Sequence, residues 1–151
     1  MRRKQTIART AGALYLVLAL VGPFSLMYVP GALVVPGDAA ATAGNIVASE
    51  GLFRLGLLGE AVIFSVEVVL VVLLYVLLKS VSETLSLVAA LARLAMAVLQ
   101  GVNVLLGFAV LLLLGGAGYL GVFEAEQLHA FALLFLELRG AGVFVWEVFF
   151  G

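Results

Sequence analysis

The chain contains no cysteine and only one histidine, His129. Disulfides, thiolate chemistry and Cys-ligated metals are excluded, and so is a haem held by two histidines of one chain. His129 with Glu126 one turn before it is too small a set for a metal site. No serine has a His–acid partner set, and no glycine loop has the spacing that cradles phosphate. The expectation is a protein that is not an enzyme and uses no cofactor. Charge is scarce as well: 11% of the 151 residues are charged and the net charge is −1, against about a quarter charged in a soluble domain. With no basic stripe there is no case for nucleic acid.

Apolar side chains make up 65% of the chain. A water-soluble fold of this length still exposes roughly a third of its unfolded surface. The polar residues are too few to cover that surface, so the expected solvent is a lipid bilayer. A helix needs about 20 apolar residues to cross ~30 Å of hydrocarbon. Four stretches qualify, at about 7–28, 52–78, 85–114 and 128–151. Apolar residues occupy every face of them, and no window alternates as a membrane barrel strand does. The predicted fold is one all-α domain over 1–151, a transmembrane bundle of about four helices.

Local signals mark the boundaries. Ser80-Val81-Ser82-Glu83 has capping-box spacing at the start of the third helix. Gly115-Gly116-Ala117-Gly118 ends that helix. Glu124 and Glu126 suit the start of the fourth, where negative charge favours the helix dipole. Asp38 can cap a short interfacial helix over Ala39–Ser49 in the first loop. Pro23 cannot donate to Ala19 and should kink the first helix. A cleaved leader is disfavoured, because the first apolar run exceeds the usual 7–15 residues.

Arg2, Arg3, Lys4 and Arg9 precede the first span, and Lys79 lies in the second loop. The first and third loops carry no Lys or Arg. The positive-inside rule then puts the N-terminus in the cytoplasm.

Among the polar residues inside the spans, seven make up the candidate intramembrane cluster: Glu60, Glu67, Arg93, Gln100, Asn103, Glu137 and Arg139. Glu60 and Glu67 are seven apart on one face, as are Arg93 and Gln100, with Asn103 one turn further. From Ala61 to Leu78 there are 14 Val, Leu, Ile or Phe residues. They favour insertion by about 6 kcal/mol, against about 3 for one central acid. From Ala130 to Gly151 there are 12. They favour insertion by about 5 kcal/mol, against about 5–7 for Glu137 with Arg139, so the fourth helix needs partners within the bundle. Two arrangements follow. The charges can form interhelical pairs, the usual fate of intramembrane charge. Alternatively they line a pocket or pathway in which Glu67 binds a proton or ligand opposite Arg93, Gln100 and Asn103. Ala and Gly on the third helix permit close helix contact, so a homo-oligomer or a membrane partner protein is an expectation.

Several runs carry a family resemblance: Ala8-Arg9-Thr10-Ala11-Gly12-Ala13-Leu14-Tyr15, Val35-Pro36-Gly37-Asp38-Ala39-Ala40-Ala41-Thr42-Ala43, and Ser49-Glu50-Gly51-Leu52-Phe53-Arg54-Leu55-Gly56. Ala92-Arg93-Leu94, Gly101-Val102-Asn103 and Leu133-Leu134-Phe135-Leu136 complete the set. Together they resemble the membrane proteins grouped as domain-of-unknown-function family 4386. The resemblance covers nearly the whole chain and implies a multi-helix protein of the prokaryotic cell membrane, with no activity attached. It also implies further apolar segments after Phe149-Phe150-Gly151, so the chain reads as a truncated member. Glu147 stands where the resemblance implies a small or apolar residue.

The leading expectation is therefore a non-enzymatic membrane protein that binds a hydrophobic ligand, a lipid or a partner between its helices. The rival is a small proton-coupled transporter or channel component using Glu60 and Glu67.

Overall fold

The computed structural model describes residues 2–150, and all their side chains except those of residues 3 and 148–150. Gly151, the expected end of the fourth helix, lies outside the described residues, as does the side chain of Arg3. Every regular element among the described residues is helical. In chain order they are α1 (Arg2–Gly22), a π-helical turn (Pro23–Tyr28), α2 (Val29–Leu33), α3 (Ala39–Ala48), α4 (Glu50–Leu78), α5 (Glu83–Leu114), a single 3-10 turn (Gly118–Leu120) and α6 (Ala125–Phe150). Four apolar helices are long enough to cross a membrane, the first running through the π turn to Leu33.

The ends follow side-chain chemistry. Asp38 caps α3, its Oδ1 accepting from Ala41 N at 2.9 Å. Ser82 caps α5 by accepting from Leu85 N. The capping box expected at Ser80 is thus displaced by two residues, because Ser80 Oγ is engaged elsewhere: it accepts from Lys4 Nζ at 3.0 Å. Gly116 ends α5 at φ 69°, a left-handed conformation open to glycine at no steric cost. Gln127 closes the start of α6, its Oε1 accepting from Glu124 N at 2.9 Å.

Pro23 does not break the first helix. The missing N–H is absorbed by the wider π turn, and α2 continues the same rod past Pro30 to Leu33. The segment is therefore longer than the 7–28 expected from hydropathy. Glycines on α4 receive this rod. Gly56 lies under Val29 and Gly59 under Ser25, each with no room for a methyl group.

The long helices form an arc in the order α1, α4, α5, α6, each packed on the next. α1 and α6, at the two ends of the arc, share almost no close backbone contact. The Lys4–Ser80 bond puts the start of α1 and the α4–α5 turn at one end, the basic end. At the other end, the loop end, α3 packs on α6, α2 and α4. The short helix expected in the first loop is α3, which packs one face on the bundle, burying Thr42, Ala43 and Ile46, and leaves Val47 exposed on the other. Ile46 joins Val29, Leu33, Phe53, Leu57, Val110, Ala132 and Leu136 in the main apolar cluster. A second cluster near the basic end seats Ala11 on Val66 and Leu70. Thr42 and Asn45 tie α3 to the chain before it: Thr42 Oγ1 accepts from Val35 N at 2.9 Å, and Asn45 Nδ2 donates to Leu33 O at 3.2 Å.

Because Val29 is stiff and branched at Cβ, overpacking at Gly56 has no easy relief. Gly56→Leu is expected to cost about 1–3 kcal/mol in detergent unfolding. Gly12→Leu, where an added Cβ meets nothing within 4 Å, should be neutral or slightly stabilising through helix propensity.

Candidate functional site

α4 and α6 run in the same direction, and long side chains bridge them in two rungs. In the first, Arg139 Nη2 on α6 donates to Glu60 Oε1 on α4 in a buried ion pair. In the second, Trp146 Nε1 donates to Glu67 Oε1 at 3.0 Å. Each rung joins residues 79 apart in sequence, because Glu60 and Glu67 are one heptad apart on α4 while Arg139 and Trp146 are one heptad apart on α6. Antiparallel α5 passes beside both. Its Gln100 Nε2 donates to Glu60 Oε2 at 3.3 Å, and Arg93, a heptad earlier, falls at the level of Glu67. Glu60 and Glu67 are each only 2% exposed.

Glycines set the spacing on α5 and α6. Arg139 and Leu57 pack over Gly107, and Asn103 packs against Gly142, with no room for a methyl group at either glycine. The Arg139 guanidinium also lies 5.7 Å from the Phe53 ring centroid, which adds a cation–π contact.

Above these rungs the gap between α1 and α6 is unfilled. A cavity of about 270 Å³ runs between the π turn and α2 on one side and α6 on the other. Leu26, Val29, Leu33, Leu136 and Val143 make apolar walls. Ser25, Glu60, Asn103 and Arg139 supply its polar lining. A second, separate cavity of about 220 Å³, lined by Tyr15, Leu18, Ile63 and Trp146, lies towards the basic end and shares Leu26 with the first. Exposed Gly140 and half-buried Leu26 and Pro30 stand at the side of the crevice.

The seven polar residues picked from the sequence are thus divided. Glu60, Gln100 and Arg139 form one hydrogen-bonded group, and Asn103 lies beside them in the cavity wall. Glu67 does not sit opposite Gln100 and Asn103 as expected; Gln100 turns to Glu60, and Trp146 takes Glu67. Arg93 is half-buried, with its guanidinium 5.2 Å from the Tyr15 ring centroid. Glu137 points the other way from Arg139: it is exposed on the outer face of α6 beside Leu134 and Leu138. Sequence reasoning missed Ser25, Phe53 and Trp146. Trp146 was detectable, because it repeats Arg139 at i+7 on one helix face.

The family model described as Domain of unknown function (DUF4386) matches residues 10–151. The chain belongs to this family. No curated protein and no solved structure matches this DUF4386 member. The family match extends over the π turn, α3, both rungs and the crevice, and it brings no activity with it.

Removing one partner of a buried ion pair strands the other charge and costs about 3–5 kcal/mol. Arg139→Met should show a loss of that size in reversible unfolding. Glu60→Met combined with Arg139→Met should recover most of it. Equal losses in the single and double variants would mean the pair is not coupled as described.

Proposed function

We propose that this DUF4386 member is a non-enzymatic, multi-pass protein of a prokaryotic cell membrane. Its N-terminus is cytoplasmic, and it holds a lipid or other hydrophobic ligand in the crevice between α1 and α6. The observation that carries this reading is the unfilled crevice itself, apolar along its walls and polar at its floor. Binding sites for small hydrophobic ligands combine an apolar lining with a few placed polar groups, in volumes of roughly 300–1,000 Å³. The first cavity, at about 270 Å³, lies close to the lower end of that range.

The membrane assignment is supported by the outward faces of the long helices. Leu20 is 78% exposed, and Val88, Leu105 and Phe144 each stand more than half exposed. At ~1.5 Å per residue, α4 and α5 are each more than 40 Å long. That spans ~30 Å of hydrocarbon with a margin at both ends. Glu60 then lies ~15 Å from the loop end of α4, deep in the apolar zone. In this reading the ligand reaches the site sideways from the bilayer, past Gly140, while α3 closes the loop end.

The proton-coupled alternative draws on the burial of Glu60 and Glu67. It has less support, because donors hold both oxygens of Glu60 and one of Glu67, and buried Ile63 lies between the two acids on α4. Proton flux into vesicles that Glu67→Gln abolishes would favour it.

Two outcomes test the proposal. Native mass spectrometry from nanodiscs should show a reproducible bound lipid mass. Gly140→Phe should remove it without loss of stability, since an added Cβ at Gly140 meets nothing within 4 Å. A bare protein, or an unchanged adduct in the variant, would count against the site. For orientation, Tyr119→Cys should react with an impermeant maleimide in intact cells, and Val81→Cys only after permeabilisation. The absence of native cysteine keeps that readout clean.

A further inference from the structure

Glu137 lies on the outer face of α6, away from the rungs and the crevice. At ~1.5 Å per residue it stands ~18 Å from Ala125, close to halfway along the helix. Ala130, Leu134, Ala141 and Phe144 share its stripe, spaced alternately by four and three residues, and all five are exposed. At about 100° per residue the stripe is opposite buried Ala132 and Arg139, the side on which α6 meets the bundle. Leu136 and Val143, which line the crevice, fall to one side of it. Among the described residues, Glu137 and Ser65 are the only exposed polar side chains near the midpoints of the long helices. Ser65 is satisfied within its own helix, its Oγ donating to Ala61 O at 2.8 Å. Glu137 has no partner among the described residues.

Ionisable side chains within membrane spans face the bundle interior or pair with one another. Arg139 follows that rule with Glu60. Glu137 does not, and hydrocarbon offers its carboxyl group neither donor nor acceptor. What covers the stripe must therefore be apolar along its length and polar at one depth. A second α6, related by a two-fold axis along the membrane normal, meets both conditions. Such a contact uses the same patch on both copies, so the two Glu137 side chains meet at equal depth between apolar neighbours. A carboxyl group that holds its proton is donor and acceptor at once, so two of them satisfy each other. Ala130 and Ala141 are small enough to let the two helices approach. The alternating spacing is that of a helix-on-helix seam, and a single polar residue within such a seam fixes its register. A head-to-tail contact has no such match: among the described residues, no exposed cation stands at that depth on another face of the chain.

We propose that the outer face of α6 is a self-association surface. Two copies of the chain pair in parallel through Ala130, Leu134, Ala141 and Phe144, with the two Glu137 carboxyl groups hydrogen-bonded at the centre. This does not depend on the crevice ligand; it rests on the membrane part of the proposed function.

The chain has no native cysteine, so each introduced one is unique. Val81→Cys, exposed in the turn between α4 and α5, carries a donor or an acceptor dye. The full chain is reconstituted in dioleoylphosphatidylcholine vesicles and diluted stepwise with lipid. The proposal expects energy transfer that saturates with the protein-to-lipid ratio. Glu137→Leu should weaken pairing about tenfold, the loss of one hydrogen bond between helices in lipid. Glu137→Gln, whose amide also donates and accepts, should keep pairing within about twofold. Both substitutions are at an exposed position, and unchanged fluorescence of Trp146, the only tryptophan, shows that the protomer stays folded. Under oxidation, Leu134→Cys or Ala141→Cys should link two copies, whereas Leu105→Cys, exposed on α5, should not. Equal linking at Leu105 would overturn the α6 surface. Pairing that survives Glu137→Leu, or that Glu137→Gln abolishes as fully, would overturn the carboxyl contact. An embedded monomer at every dilution would overturn the proposal and leave a different membrane protein to cover α6. A chain that alkaline washing strips from the vesicles would overturn the membrane reading with it.

Discussion

A single buried ion pair organises the bundle. Glu60 and Arg139 sit among apolar side chains, and each charge there is tolerable only with the other in reach. The pair joins α4 to α6, which otherwise share almost no close backbone contact. Gln100 satisfies the second Glu60 oxygen and draws α5 into the same group. The Glu67–Trp146 bond repeats the bridge one heptad on, so α4 and α6 are held parallel and in register by two rungs. Helices spaced by long side chains rather than by backbone contact cannot close the arc. The gap left between α1 and α6 is the crevice.

The opposite wall has a different cause. Pro23 withholds a backbone donor, and the chain answers with a π turn instead of a break. Within that turn Ser25 is set against Gly59, and just beyond it Val29 against Gly56. The first loop then returns as α3, fixed by Asp38, Thr42 and Asn45, and buries Ile46 in the apolar cluster at the loop end. A polar floor and an apolar wall therefore arise from separate local constraints that meet at one cavity.

Much of this was legible in residue order. Hydropathy located the four long helices, and the turn residues placed Asp38, Gly116 and the start of α6 within a few positions. The first helix was drawn too short, ending at Tyr28, whereas the chain keeps a helical path through the π turn and past Pro30 to Leu33. The heptad spacing of Glu60 with Glu67, and of Arg93 with Gln100, correctly gave shared faces. It did not give partners, since the choice between Glu60 and Glu67 for Gln100 depends on how far antiparallel α5 slides along α4. That offset is set by tight contacts such as Phe64 on Gly101 and Leu57 on Gly107, which no single-helix pattern contains. The insertion energetics implied that the fourth helix needs bundle partners; Arg139 finds one in Glu60, whereas Glu137 turns to the exposed face. Ser25 left no signal of its own, and Phe53 stood only within the Ser49–Gly56 run of the family resemblance, with nothing to tie it to Arg139.

The central claim is that this spacing leaves a lateral opening occupied by lipid. A photoactivatable acyl lipid, incorporated in vesicles with the full chain and mapped by peptide sequencing after irradiation, tests it most directly. The account predicts labelling concentrated on Leu26, Pro30, Gly140 and Val143 above the level on Leu20, Val88 and Leu105. Labelling spread evenly over the exposed apolar faces, with the crevice residues no higher than the rest, would contradict it.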